Sequence, residues 1–470
     1  MEKSRLITVF KTLSKKDIRE MAKFVRSPFF NQQEQVVRFF DYLVECQQEL
    51  KIIPNKEQAF KKLFPNSPFD DVRIRLLMSA LHKLIERYFI YSEVEEAALR
   101  SKIHLAAVYR KRNLPKHFER TTRDAALLQE KQDCQDADYY MNIYQLQWEH
   151  YQYLSTSQPT GELNLQSISD TLDTAFLAHK LRQTCFQLSH KAVYKSEYNI
   201  SFLQELLRYI ERKNFLEIPL IAIYYHCYHA LIKGNQENHY EQFVQMLFEY
   251  SEHFSKSEFR DLYLLALNYC IKRINEGHEG YFQRAFDLYQ KGLNNDFLLE
   301  DDRMSRFTYH NIVGAGLYMR AFGWVEGFIH NYKDKLARKY QDSLFSVNLA
   351  RLEYNRQHYD KAMRLLNTAN YKDLLLNLAA KTLLLKVYYE LGELSLLESH
   401  LDAMKIFIRR KKVMGYHQSN YRNIIHYTQK LTTLNQYNKQ ERESLATQIE
   451  AEEILTERKW LLGQLAKMGH

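Results

Sequence analysis

Apolar residues recur at three- and four-residue spacing along almost the whole chain. No stretch alternates apolar with polar for long enough to predict a sheet. Ile18, Met21, Ala22 and Val25 form one stripe behind a capping box, Ser14-Lys15-Lys16-Asp17. Pro28 ends that helix, because proline disfavours helical geometry at the residue before it. Val36, Val37, Phe40, Leu43 and Val44 predict a second helix, and Asn55 is placed to cap a short third carrying Ala59, Phe60 and Leu63. After Pro65-Asn66-Ser67-Pro68, Asp70 or Asp71 caps a long helix with Ile74, Met78, Leu81, Leu84, Ile85 and Tyr88 inside. Ser92 offers a further cap, and Pro115 opens a helix at its first position. Residues 155–161 are the strongest loop signal and divide the chain into a 1–155 N-terminal helical region and a 162–470 array ending in capping helices. In the array helix follows helix, with breaks near 196–199, 215–219, 234–237, 255–257, 277–280 and 294–302.

A longer period lies over the helical one. Tyr359 opens a helix with Ala362, Leu366 and Ala369 on its inner face. Thirty-five residues later Leu394 stands in its place, with Leu397, Leu401 and Met404 following; thirty-five earlier stands Trp324, near Gly314, Ala315, Tyr318 and Gly327. Small residues at such positions let paired helices touch, and larger ones fill the joint to the next pair. Over 310–410, and more weakly over 200–292, this pattern resembles the tetratricopeptide repeat, a helix–turn–helix unit of 34 residues. The resemblance departs from that motif where Ser346 and Lys381 stand at its Trp position and Leu397 at a small-residue position. The segments FVRSPFFN (24–31), KKLFPNSPFDD (61–71), LALNYCIKRIN (265–275) and VYYELGELSLLESHLDAMKIFIRRKK (387–412) also resemble a family of uncharacterised bacterial proteins. That likeness implies a helical N-terminal region followed by repeats, and no activity. The expected fold is all-α, an α-solenoid of tetratricopeptide-like helix pairs with an N-terminal helical region.

Composition agrees with helices. The 470 residues contain 13 Gly and 7 Pro, against an average of about 12% for the two together. No glycine precedes Gly161, and every proline lies before residue 220. The five cysteines are far apart, which excludes a CxxC pair and predicts reduced, buried thiols. The first twenty residues have no apolar core of a signal peptide, and no apolar run approaches the ~20 residues of a membrane span. The expected setting is cytoplasmic, with no membrane partner.

Net charge is +9 and uneven. Residues 1–130 hold 25 Lys+Arg against 17 Asp+Glu, a net of +8. On the long helix Arg73, Arg75, Lys83 and Arg87 are candidate nucleic-acid contacts. The densest basic run, Arg409-Arg410-Lys411-Lys412, lies near Lys405, Tyr416, His417, Tyr421 and Arg422. Of these, Lys405, Arg409, Arg410, Lys412, Tyr416, His417, Tyr421 and Arg422 are candidate partner-binding residues, because Tyr and Arg dominate binding hot spots.

Catalytic and cofactor signatures are missing. Gly314-Ala315-Gly316 is followed by Met319 where GxGxxG needs glycine, and neither GxxxxGK nor GxSxG occurs. Close helix contact is the expected use of Gly314 and Gly316. His226 and His229, with His239 nearby, lack the spacing of a metal motif, so no metal and no cofactor are assigned. Asp136, Asp138 and Glu300-Asp301-Asp302 are read as acids at helix starts. The expectation is a non-catalytic scaffold or adaptor that binds a protein or peptide in the groove of its helix array. The alternative is a nucleic-acid-associated regulator that uses the basic N-terminal region.

Overall fold

The computed structural model describes residues 1–48, 54–157, 163–194, 197–232, 237–368, 371, 373–411, 415–435 and 437–468. These residues are all-α apart from one small ribbon. By its contacts the chain divides into two compact units. One comprises Met1–Lys180, Gln204–Ile221 and Glu252–Ser255; the other comprises Leu181–Leu203, Ala222–Ser251 and Lys256–His470. Most of the divisions fall within helices. The loop expected at 155–161 lies partly outside the described residues.

The helices of the first unit are α1 (Arg5–Phe10), α2 (Lys15–Arg26), α3 (Glu34–Gln48), α4 (Lys56–Leu63), α5 (Asp71–Glu96), α6 (Ala98–Lys111), α7 (Pro115–Glu130) and α8 (Ala137–Ser157). To these are added the first half of α9 (Leu165–Tyr194) and nearly all of α10 (Leu203–Arg212). The expected caps form: Ser14 and Asn55 close capping boxes, and Asp70 accepts from the amides of Val72 and Arg73. Ser92 does not cap a helix. α5 runs through it to Glu96, because the apolar stripe from Ile74 to Tyr88 packs α5 continuously against α1–α4. Leu6, Phe10, Met21, Phe39, Phe60 and Ile85 are among the residues of that core.

The second unit holds α11 (Pro219–Ile232), α12 (Glu237–Glu249), α13 (Lys256–Asn275), α14 (Tyr281–Asn294), α15 (Arg306–Tyr318) and α16 (Phe322–Asn331). It continues through α17 (Arg338–Asn355), α18 (Tyr359–Thr368), α19 (Leu374–Glu390), α20 (Leu394–Arg410), α21 (Gly415–Thr433), α22 (Lys439–Ala451) and α23 (Arg458–Lys467). Between α14 and α15, β1 (Leu299–Glu300) pairs antiparallel with β2 (Arg303–Met304). Glu300-Asp301-Asp302 is therefore a hairpin turn and not a helix start. Asp301 and Asp302 both have positive φ, which the two-residue hairpin turn needs and which aspartate tolerates. Two-residue strands are too short to show alternation in a sequence.

Four turns of this unit are built alike. Gly277, Arg320, Gln357 and Gly392 have φ of 93°, 55°, 65° and 73°. The next amide in each donates back five residues: His278 to the Arg273 carbonyl (3.0 Å), Ala321 to Gly316 (2.9 Å), His358 to Glu353 (2.9 Å) and Glu393 to Tyr388 (3.0 Å). This left-handed cap satisfies the carbonyls at the end of the first helix and turns the chain into the second. The same turn joins α6 to α7 at Asn113, where the Leu114 amide donates to the Tyr109 carbonyl. The sequence reading did not find that hairpin.

The turns correct the 35-residue register expected from the sequence. Arg320 and Gln357 are 37 residues apart, whereas Gln357 and Gly392 are 35 apart. Phe322, rather than Trp324, is thus the counterpart of Tyr359 and Leu394 as the first residue of a second helix. In this register Val325, Ala362 and Leu397 are all buried, as are Val313, Ala350 and Leu385. Within each pair the two helices pack together, and the first helices α15, α17 and α19 also pack on one another. Gly316 makes the close contact expected of it: a Cβ there would collide with Val325 Cγ2. Gly314 and Gly327 do not serve that purpose. Gly314 faces the Arg351 guanidinium, and a Cβ on Gly327 would meet nothing within 4 Å.

Candidate functional site

The corrected register brings one row of inner positions into view. Gly314, Arg351 and Lys386 are equivalent on α15, α17 and α19, and Tyr421 follows on α21. His310, Val347 and Thr382 form the row one turn earlier. Together these two rows line an open cavity of about 540 Å³, with Tyr354 and Glu457 on its wall.

Arg351 is the central group. Its Nη1 donates to Asn348 Oδ1 at 3.1 Å and to the His310 carbonyl at 3.3 Å. The absence of a side chain on Gly314 leaves room for it, since a Cβ there would lie 3.2 Å from Nη2. Burial lowers the guanidinium to about 10, while the Glu457 carboxylate acts in the opposite direction. Arg351 therefore remains cationic at neutral pH. His310 is pushed down to about 3, first by burial and then by Arg351, so it is neutral.

Lys386 Nζ lies 2.9 Å from Glu457 Oε2 and 4.9 Å from the centre of the Tyr354 ring. Tyr354 donates to Glu390 Oε1 at 3.2 Å. The Thr382 hydroxyl is buried on the same wall without a hydrogen-bond partner among the described residues. A guanidinium, an ammonium and a hydroxyl on one cavity wall are the donor set that binds a carboxylate or another oxyanion.

The predicted partner-binding residues are divided by the fold. Lys405, Arg409 and Arg422 come together around a second open cavity of about 460 Å³, where Lys405 is already 3.0 Å from Asp402. Arg410 is exposed at the end of α20 and does not line it. Tyr421 lines the 540 Å³ cavity instead. Lys412 and the side chains of Tyr416 and His417 lie outside the described residues.

All four predicted nucleic-acid contacts are on α5. Arg73 stacks over the Phe64 ring at 3.7 Å, and Arg75 Nε is 2.8 Å from Asp71. Lys83 and Arg87 are exposed one turn apart, with Arg87 5.5 Å from the Phe30 ring centre.

The histidines named in the sequence do meet. His226 Nδ1 lies 2.7 Å from His239 Nδ1, and the His229 and His239 rings stack at 4.8 Å. Burial, then His239 and His229, hold His226 down to about 4. Among the described residues no group of three His, Cys, Asp or Glu is arranged to hold a metal. The five cysteines are free thiols, four of them buried.

Sequence reading missed Arg351, Lys386 and Thr382. A strict 35-residue step from α15 to α17 pairs Gly314 with Leu349 and hides the row. The usable signal was the turn, because counting from Arg320, Gln357 and Gly392 restores it. No described helix is long and apolar enough to cross a membrane. Compared with protein families, with curated proteins and with solved structures, the chain shows no match.

Proposed function

We propose that this chain is a non-catalytic scaffold whose tetratricopeptide-like helix pairs stack as an α-solenoid and bind a segment of a partner protein. The observation that carries this reading is the cavity lined by equivalent positions of successive first helices. Repetition of one inner position along a stack creates a binding surface longer than any single helix provides. The side chains on it, Arg351, Tyr354, Lys386 and Tyr421, are of the kinds that carry binding energy. Four buried free thiols suit a reducing compartment, and the cytoplasm is the setting we assign.

Panning a displayed peptide library on the full chain tests the reading. Selected peptides should lose most of their affinity for Arg351→Met and Tyr354→Ala chains that retain their helical circular dichroism. Peptides bound equally well by both variants would place recognition elsewhere and defeat the proposal.

The alternative, a nucleic-acid-associated regulator, draws on Lys83 and Arg87, exposed together on α5. It is the weaker reading because Arg73 and Arg75 are engaged within the fold. Its mark would be DNA or RNA binding that falls steeply with salt and is lost in a Lys83→Ala, Arg87→Ala chain.

A further inference from the structure

The C-terminal segment of the chain already reaches the proposed binding surface. α23 packs against α21 and α22, burying Leu461 and Leu465. From an adjacent face its polar groups extend to the helix pairs. Glu457, immediately before α23, sets its carboxylate 2.9 Å from Lys386. Trp460 Nε1, Gln464 Nε2 and Lys467 Nζ donate to Glu390 at 3.2, 2.5 and 3.3 Å. The Trp460 ring meets Tyr389 edge-on at 5.3 Å between centres. Lys459 pairs with Glu279, in the turn between α13 and α14.

This arrangement satisfies the cationic wall unevenly. Glu457 neutralises Lys386, but the groups within hydrogen-bond reach of Arg351 among the described residues, Asn348 Oδ1 and the ring and carbonyl of His310, are all neutral. A half-buried guanidinium without a contacting carboxylate is costly, and an arriving anion relieves that cost. The cavity beside it is open, so an arriving acid has access.

We infer that the inner cavity is a site for an acidic peptide segment, and that Glu457, held in place by α23, is its occupant in cis. The incoming carboxylates engage Arg351 and take Lys386 from Glu457. The partner is a protein segment carrying a glutamate or aspartate near an aromatic residue, the pattern that Glu457 and Trp460 display within the chain. This rests on the scaffold reading and adds the chemistry of its ligand. Two contacts of this segment to the array, Lys459 with Glu279 and Lys467 with Glu390, are ion pairs whose lysines are exposed, so the exchange is open to competition and sensitive to salt.

The test is fluorescence anisotropy with a labelled peptide copying residues 453–467, added to the full chain at low salt. The wild-type chain, occupied by its own segment, should bind weakly. A Glu457→Gln, Trp460→Ala chain should bind at least tenfold more tightly. Adding Arg351→Met and Lys386→Met should return affinity to the wild-type level. A peptide with glutamine at the position copying Glu457 should bind at least tenfold more weakly to the opened chain. Equal affinity of wild-type and opened chains, or indifference to the glutamine replacement, overturns the inference. If the double variant loses its helical signal, the single variant Glu457→Gln takes its place in the same comparison. If the copied peptide fails while library peptides still depend on Arg351, the internal ligand is wrong and the scaffold reading stands. If neither depends on Arg351, both fall.

Discussion

Arg182 on α9 and Glu258 on α13 form an ion pair of 2.7 Å between Nη1 and Oε2, with the carboxylate almost wholly buried. The other carboxylate oxygen accepts from the Tyr224 hydroxyl of α11. One acid thus ties three helices of the second unit together. Arg182→Ala takes this cation away from the buried carboxylate and should lower stability by roughly 3 kcal/mol. Adding Glu258→Gln removes the carboxylate charge as well and should recover part of that loss. Urea denaturation of the single and double variants checks this; a double variant less stable than the single one would contradict the role given to Glu258.

Two glycines close in sequence should respond in opposite senses. At Gly316 a new methyl would press on Val325 of α16 within its own helix pair and on Phe286 of α14. Gly316→Ala should cost about 1–3 kcal/mol through overpacking. At Gly327 nothing lies within 4 Å of the added carbon, and the residue is mid-helix. Gly327→Ala should raise stability by about 0.5–1 kcal/mol through helix propensity. Thermal melts of the two variants should move in opposite directions.

The shared turn makes a reciprocal case. Gln357 holds the left-handed conformation that Gly392 holds in the next pair. Gln357→Gly should stabilise by up to about 1 kcal/mol, and Gly392→Ala should destabilise by about the same amount. Denaturant midpoints read both; a loss of stability in Gln357→Gly would show that its side chain matters more than its backbone.

His310 predicts a pH dependence. Its ordinary value of 6.5 is lowered to about 3 in the fold, chiefly by burial and then by Arg351. Below pH 6.5 the unfolded residue takes up a proton that the folded one refuses until about pH 3. Stability therefore suffers nothing from this group at neutral pH, falls as pH drops through 6.5, and is lower by about 2 kcal/mol at pH 5. His310→Gln should show a smaller loss between pH 7.5 and pH 5 by that amount. Urea midpoints at the two pH values, compared between wild type and variant, isolate the contribution.

Much of the candidate site was illegible for a specific reason. Arg351 is one arginine among many on a mixed-charge chain, and nothing local distinguishes it from Arg356, which is paired with Glu326 and Glu353. Its distinction is that Gly314 and Asn348 make space and hydrogen bonds for it while the neighbouring acids go elsewhere. The basic run at 409–412 had the opposite fate. It was conspicuous as a cluster, yet its neighbours Arg422 and Tyr421 face two different cavities.

Helix content, the caps at Ser14 and Asn55 and the stop at Pro28 were determined by the sequence itself. Each is a local matter of backbone geometry, hydrogen bonding or apolar spacing within a few residues. The register of α15 and α16 against the later helix pairs, the row from Gly314 to Tyr421 and the meeting of Glu457 with Lys386 were decided by the tertiary structure. They join residues 35 to 71 positions apart, and only packing of one helix pair on the next selects which side chains come to share a wall.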